Sequence, residues 1–288
     1  MPHSSAAQHV AGWSPSRPRW TRRHPVLLAL SVVIVIIASA WTGLLLVEQA
    51  GVGRAKSYWS AAHGNTGGLL YVALGDSAAQ GVGASPPERG YVGLLATDLR
   101  TRCGCPVQVV NLSVSGARVA DVLHQQVPRL KALRPDIVTV DVGGNDVSTY
   151  DPVAFSMRID QLTAALPAGT YIADVPYFMH GRYERQAQQA AEILTRSAQA
   201  RGLVTVPLHA ALRARGWSAM VTDFAPDFFH PNDRGHRVWA RAFWASMSGP
   251  RWPARGRLAD QSFDRGGGEA LRRQHRTNKL RTFGPMRL

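Results

Sequence analysis

The chain has 288 residues, with 33 Lys and Arg against 19 Asp and Glu, and its net charge of +14 sits mostly at the ends. Residues 1–24 carry four Arg and no acid, residues 251–288 net +7, and the 226 residues between them net only +3, so the basic balance says little about what the middle binds. With 45% hydrophobic residues and two Cys, the composition excludes a largely disordered chain and a disulfide-rich mini-scaffold.

Val26 to Val47 is a run of 22 residues without a charged side chain. As a helix it would be roughly 33 Å long, enough to cross a bilayer core. Arg17, Arg19, Arg22 and Arg23 precede it, whereas only Glu48, Arg54 and Lys56 are charged in the next 20 residues. This asymmetry predicts one transmembrane anchor over 26–47, a basic N-terminus (1–25) in the cytoplasm and everything after it outside. Two alternatives stand beside it: a buried core helix, and a signal sequence cleaved after Ala38-Ser39-Ala40. Against cleavage, the apolar run continues through Trp41 to Val47, which a signal peptide does not need.

Residues 48–67 are rich in Gly, Ala and Ser and read as a linker, partly helical near Val47. One domain is predicted over 68–250. Its apolar runs 69–74, 107–112, 137–142, 170–175 and 203–208 are strand candidates suited to a sheet covered on both faces. Between them, helical spacing appears at Tyr91–Leu99, Val119–Leu130, Phe155–Leu166, Arg182–Arg201 and Val238–Trp244. Five strand-helix units imply a three-layer α/β/α domain with a mostly parallel five-stranded sheet. The segment 251–288 reads as a basic, disordered tail. Cys103 and Cys105 are too close for an ordinary bridge and too few for a zinc site, leaving free thiols or a strained local bridge.

Functional residues of an open α/β sheet collect where strands end at their carboxyl edge. Gly75-Asp76-Ser77 follows the first strand and presents a hydroxyl on a turn. Asn111 to Gly116 follows the second, and Gly116 permits close approach of backbone N–H to a ligand. Gly143-Gly144-Asn145-Asp146 follows the third and carries a neutral carboxamide donor suited to an oxyanion. Asp227-Phe228-Phe229-His230 lies beyond the last strand. Its spacing lets a carboxylate hold the imidazole of the same loop and leave the other ring nitrogen as a base.

In order and spacing these four blocks resemble the GDSL branch of the SGNH hydrolases, over about residues 69–247. The resemblance implies a flavodoxin-like sheet, Ser77 as nucleophile, His230 as its base and Asp227 as the orienting acid. It implies an oxyanion hole of the Ser77 and Gly116 N–H groups and the Asn145 side chain. Ala78 stands where the family name has Leu, and Ser113 where many members have a glycine. The G-x-S-x-G elbow of the ordinary α/β-hydrolases is missing, since Ala79 follows Ala78.

The expected function is therefore a membrane-anchored, extracytoplasmic serine esterase or lipase acting on carboxylic esters or thioesters. The alternatives are an acyltransferase using the same acyl-enzyme and a membrane-tethered binding protein using its basic tail. The expected partners are a small-molecule, lipid or polysaccharide ester and a membrane contacted through 26–47, and nucleic acid is not expected. No cofactor or metal is expected, Gly81-Val82-Gly83 being too weak for a phosphate loop. Tyr150, Tyr177, Phe178, Phe228 and Phe229 are candidate walls of an acyl pocket.

Overall fold

The computed structural model describes residues 25–179 and 181–248. The basic flank bearing Arg17 to Arg23 and the tail expected over 251–288 lie outside these residues. The chain divides into two compact units that part between Leu46 and Val47. The first described element is helix α1, Pro25–Tyr58. Val26, Leu28, Ile34, Ile36, Leu46 and Val47 are each more than 60% exposed. Among the described residues it is the one helix long and apolar enough to cross a membrane.

In the second unit, the stretch expected as a linker is helical through Tyr58 and joined to the domain. Ala55 and Trp59 are buried, and the Trp59 indole N–H donates to the Gln80 carbonyl at 3.0 Å. His63 then forms an antiparallel bridge with Val109. Gly51 also faces Val82, so this stretch packs along the domain rather than standing free as a linker.

Five strands follow: β1 (Leu69–Gly75), β2 (Val107–Asn111), β3 (Ile137–Asp141), β4 (Tyr171–Ala173) and β5 (Val204–Val206). All pairs are parallel and the order is β2-β1-β3-β4-β5. The outer strands are shorter than their apolar runs; Pro207, which has no N–H, follows directly on β5. The helices are α2 (Ser77–Gln80), α3 (Tyr91–Cys103), α4 (Val119–Asp121), α5 (Val127–Lys131), α6 (Pro152–Ala165), α7 (Gly181–Ala200), α8 (Leu208–Arg213), α9 (Ala219–Thr222) and α10 (Asp233–Met247).

Side chains alternate across a strand, and each face of the sheet buries its own core. Tyr71, Ala73, Val109 and Ile137 pack with Tyr91, Leu95 and Leu99 of α3 and Trp239 and Phe243 of α10. Val72, Leu74, Val140 and Ile172 pack with Phe155 and Ile159 of α6 and Ala190 and Leu194 of α7. The predicted helix from Val119 is interrupted by a π-helical turn over Val122–Gln126. Pro128 explains the break, since it lacks an N–H and its ring crowds the carbonyl four residues earlier. Cys103 and Cys105 form a disulfide, the second of the two states left open by the sequence.

Candidate active site

From β1 the chain goes to β2 on one side and then crosses over to β3 on the other, which opens a crevice at the carboxyl ends of β1 and β3. Ser77 sits there as the first residue of α2, directly after β1. Asp76 caps the helix: one carboxylate oxygen accepts the Ala78 N–H at 3.0 Å. Ser77 is 5% exposed, so its hydroxyl has little water to bond.

The loop Phe224–Asn232 brings the fourth block across the crevice, after α8 and α9 rather than directly after a strand. Ser77 Oγ lies 3.0 Å from His230 Nε2, and His230 Nδ1 lies 2.7 Å from Asp227 Oδ2. A carboxylate can only accept, so Nδ1 carries the proton and Nε2 accepts the Ser77 O–H. Asp227 Oδ1 also accepts the N–H groups of Phe229 and His230, each at 2.9 Å. Burial raises the Asp227 carboxyl, but the bonds from His230 and the two N–H groups outweigh it and hold it below its ordinary value. Phe228, with φ 55°, bends the backbone so that these donors converge.

Gly83 makes the approach of this loop possible. Its φ is 88°, and a Cβ there would lie 2.3 Å from the Pro231 carbonyl oxygen and 3.2 Å from His230 Cβ. Gly81-Val82-Gly83 thus shapes the bed for His230, a role its resemblance to a weak phosphate loop did not disclose.

Of the oxyanion candidates, Asn145 is tied by hydrogen bonds to Asp76, beside Ser77, and to Ala117, beside Gly116. Among the described residues, neither the Ser77 nor the Gly116 N–H donates to a loop or turn acceptor. Gly116 is exposed, with φ 78°. The Asn145 amide donates to Ala117 O at 3.0 Å and to Asp76 Oδ2 at 3.2 Å, so both of its N–H bonds are engaged. Burial pushes the Asp76 carboxyl up to about 6, against the Ala78 N–H bond and the nearby His230.

An apolar cavity of about 150 Å³ opens beside Ser77 and His230. Four of the expected aromatics line it, Tyr177, Phe178, Phe228 and Phe229, together with Met179, Met220, Phe224 and Trp239. Tyr150 does not; it lines a separate polar cavity with Arg118, Asp146 and Arg158. Sequence reasoning also missed Gln126. It is 1% exposed, and its carboxamide accepts the Gly75 N–H at 2.9 Å and donates to the Gly75 carbonyl at 2.8 Å, two residues before Ser77. Its signal was a polar residue four after Val122, on an otherwise apolar helix face.

Residues 73–238 match the model of the GDSL-like lipase/acylhydrolase family, more than half of the chain, and the chain belongs to that family. It is a serine ester hydrolase of the GDSL type. Solved structures share its fold. A variant of the acetyl xylan esterase Axe2 from Geobacillus stearothermophilus is 24% identical with a TM-score of 0.54, covering 63% of this chain and 95% of its own. LAE5, an alpha/beta hydrolase enzyme from the metagenome of Lake Arreo in Spain, is 24% identical with a TM-score of 0.53, covering 62% and 94%. The lipase Lip_vut3 from a goat rumen metagenome is 18% identical with a TM-score of 0.52, covering 63% and 99%. No curated protein matches the chain.

Proposed function

We propose that the chain is a membrane-anchored, extracytoplasmic serine esterase or lipase that cleaves carboxylic esters through an acyl-Ser77 intermediate. The observation that carries this reading is the continuous hydrogen-bonded series from Ser77 Oγ through His230 to Asp227 at the mouth of an apolar cavity. Ser77 Oγ attacks the ester carbonyl while His230 Nε2 takes its proton, and Asp227 holds the ring and offsets its positive charge. The developing oxyanion takes hydrogen bonds from the Ser77 and Gly116 N–H groups and from Asn145, whose longer bond to Asp76 is released for it. His230 returns the proton to the leaving alcohol, then activates water to free the acid. The acyl part lies in the cavity walled by Phe178, Phe228 and Phe229, and the substrate is an ester with an apolar acyl group.

Two features support the anchor. The apolar run continues past Ala38-Ser39-Ala40 to Val47, further than a cleavable signal needs, and the Arg residues lie before it. A membrane-impermeant fluorophosphonate applied to intact cells should label the chain in the membrane fraction, and Ser77→Ala should abolish labelling. Labelling only after lysis would overturn the topology. No labelling of the folded, purified chain would overturn the assignment of Ser77.

A further inference from the structure

The cavity wall Pro176–Met179 follows β4 and lies outside the helices and strands, so what holds it must come from elsewhere. Two side chains that do not line the cavity supply that hold. His209, in α8, directs Nδ1 to the Val175 carbonyl at 3.1 Å and Nε2 to Glu184 Oε1 at 3.0 Å. Glu184, in the first turn of α7, accepts the Phe178 N–H on its other oxygen at 2.8 Å. The backbone of His209 is itself fixed by its N–H bond to Asp174 Oδ1 at 2.7 Å, and its ring meets the Tyr177 ring edge-on at 5.5 Å. Within the wall, Met179 has a left-handed φ of 69°, and the Tyr177 hydroxyl donates to its carbonyl.

We propose that Glu184 and His209 are positioning residues which, by clamping the wall Pro176–Met179, set the length of acyl group this enzyme accepts. The inference rests on the assignment of the apolar cavity to the acyl group. A mostly apolar cavity of about 150 Å³ has room for a ligand of roughly benzene size, which corresponds to an acyl chain of roughly six carbons. An acetyl group needs only the Ser77 end of that space, so release of the wall weakens a hexanoyl ester more than an acetyl ester.

The hydrogen-bond pattern of the clamp supplies the control. Both ring nitrogens of His209 lie against oxygens, those of Val175 and Glu184. Glutamine at 184 can keep all three bonds with neutral groups. Its N–H donates to His209 Nε2, its carbonyl accepts the Phe178 N–H, and Nδ1–H still donates to Val175. Methionine has nearly the same shape and keeps none of the Glu184 bonds.

The test uses the detergent-solubilised full chain with p-nitrophenyl acetate and p-nitrophenyl hexanoate. The wild type should favour hexanoate. Glu184→Met and His209→Ala should each lower the hexanoate-to-acetate ratio of kcat/KM by about tenfold, through KM for hexanoate rather than kcat. Glu184→Gln should hold the ratio within about threefold of the wild type. Folding is checked by circular dichroism, and if the Met variant does not fold, His209→Ala against Glu184→Gln gives the same comparison. An unchanged ratio in the folded Met or Ala variant overturns the proposal. So does a Gln variant that falls as far as Met, since the hydrogen bonds would then not be the cause. A wild type without hexanoate preference, but labelled at Ser77, overturns the acyl assignment of the cavity and the clamp with it, while leaving the nucleophile in place.

Discussion

Asp227 does two jobs with its two oxygens, and substitution separates them. Oδ1 gathers the N–H groups of Phe229 and His230 and so builds the loop, whereas Oδ2 fixes the ring tautomer. Asn in its place can keep the first with its carbonyl, but its N–H₂ would then face Nδ1 and force the proton onto Nε2. A ring protonated at Nε2 cannot accept the Ser77 hydroxyl proton. Asp227→Asn should therefore fold with nearly wild-type stability yet lose kcat by about 10⁴-fold. On the proposed mechanism, Asn145→Ala removes one oxyanion donor and should cost on the order of 10² to 10³ in kcat with KM little changed. Thermal melts beside steady-state kinetics check both. A stability loss in Asp227→Asn large enough to account for the missing activity would contradict the tautomer argument.

At the scale of elements, the site depends on how closely the Gly81-Val82-Gly83 turn and the His230 loop can approach. Gly83→Ala places a Cβ 2.3 Å from the Pro231 oxygen and holds a left-handed φ at a penalty of about 1–2 kcal/mol. The loop must retreat, and a shift of about 1 Å at His230 is worth about 100-fold in rate. The expected signature is an activity loss far larger than the drop in melting temperature; equal losses would mean a general loosening. This contact shows where sequence reasoning stops. The five strands, the main covering helices and the four polar blocks were legible because each has a local signature: an apolar run, a helical period, or a Gly-Asp-Ser or Asp-x-x-His spacing. Gly83 had no such signature, since its reason lies in Pro231, nearly 150 positions away. The packed turn at Trp59 was hidden for a like reason. The Ala and Gly of 48–67 resemble a linker until the surface they press against is known. Gln126 was in principle visible as a polar residue on an apolar face, but its partner, the Gly75 backbone, was not.

Across the whole molecule, buried titratable groups of opposite sign share one pH window. Burial pushes the Asp174 carboxyl up to about 6 despite the His209 N–H bond, and Asp76 likewise to about 6. Between the unfolded value of 3.8 and about 6 the folded chain holds the extra proton, so each lowers stability as pH rises through that interval, and the loss is complete above it. His236 is fully buried, with Nε2 at 3.0 Å from the Val82 carbonyl; burial pushes it down to about 4 from 6.5. Here the unfolded chain takes the proton first, so stability is lost as pH falls from 6.5 through 4. The contributions of Asp174 and Asp76 thus oppose that of His236 over the same range. Asp174→Asn removes one falling contribution while its carbonyl still accepts the His209 N–H. Its stability relative to wild type should be near zero at pH 4 and rise to on the order of 2 kcal/mol by pH 7, allowing for solvent screening of a partly exposed carboxyl. Urea unfolding of both chains at pH 4, 5, 6 and 7, followed by tryptophan fluorescence, measures that difference directly. A difference that does not grow with pH would show that Asp174 is ionised at little expense, and that the neutral form of its carboxyl has no part in holding β4 against α8.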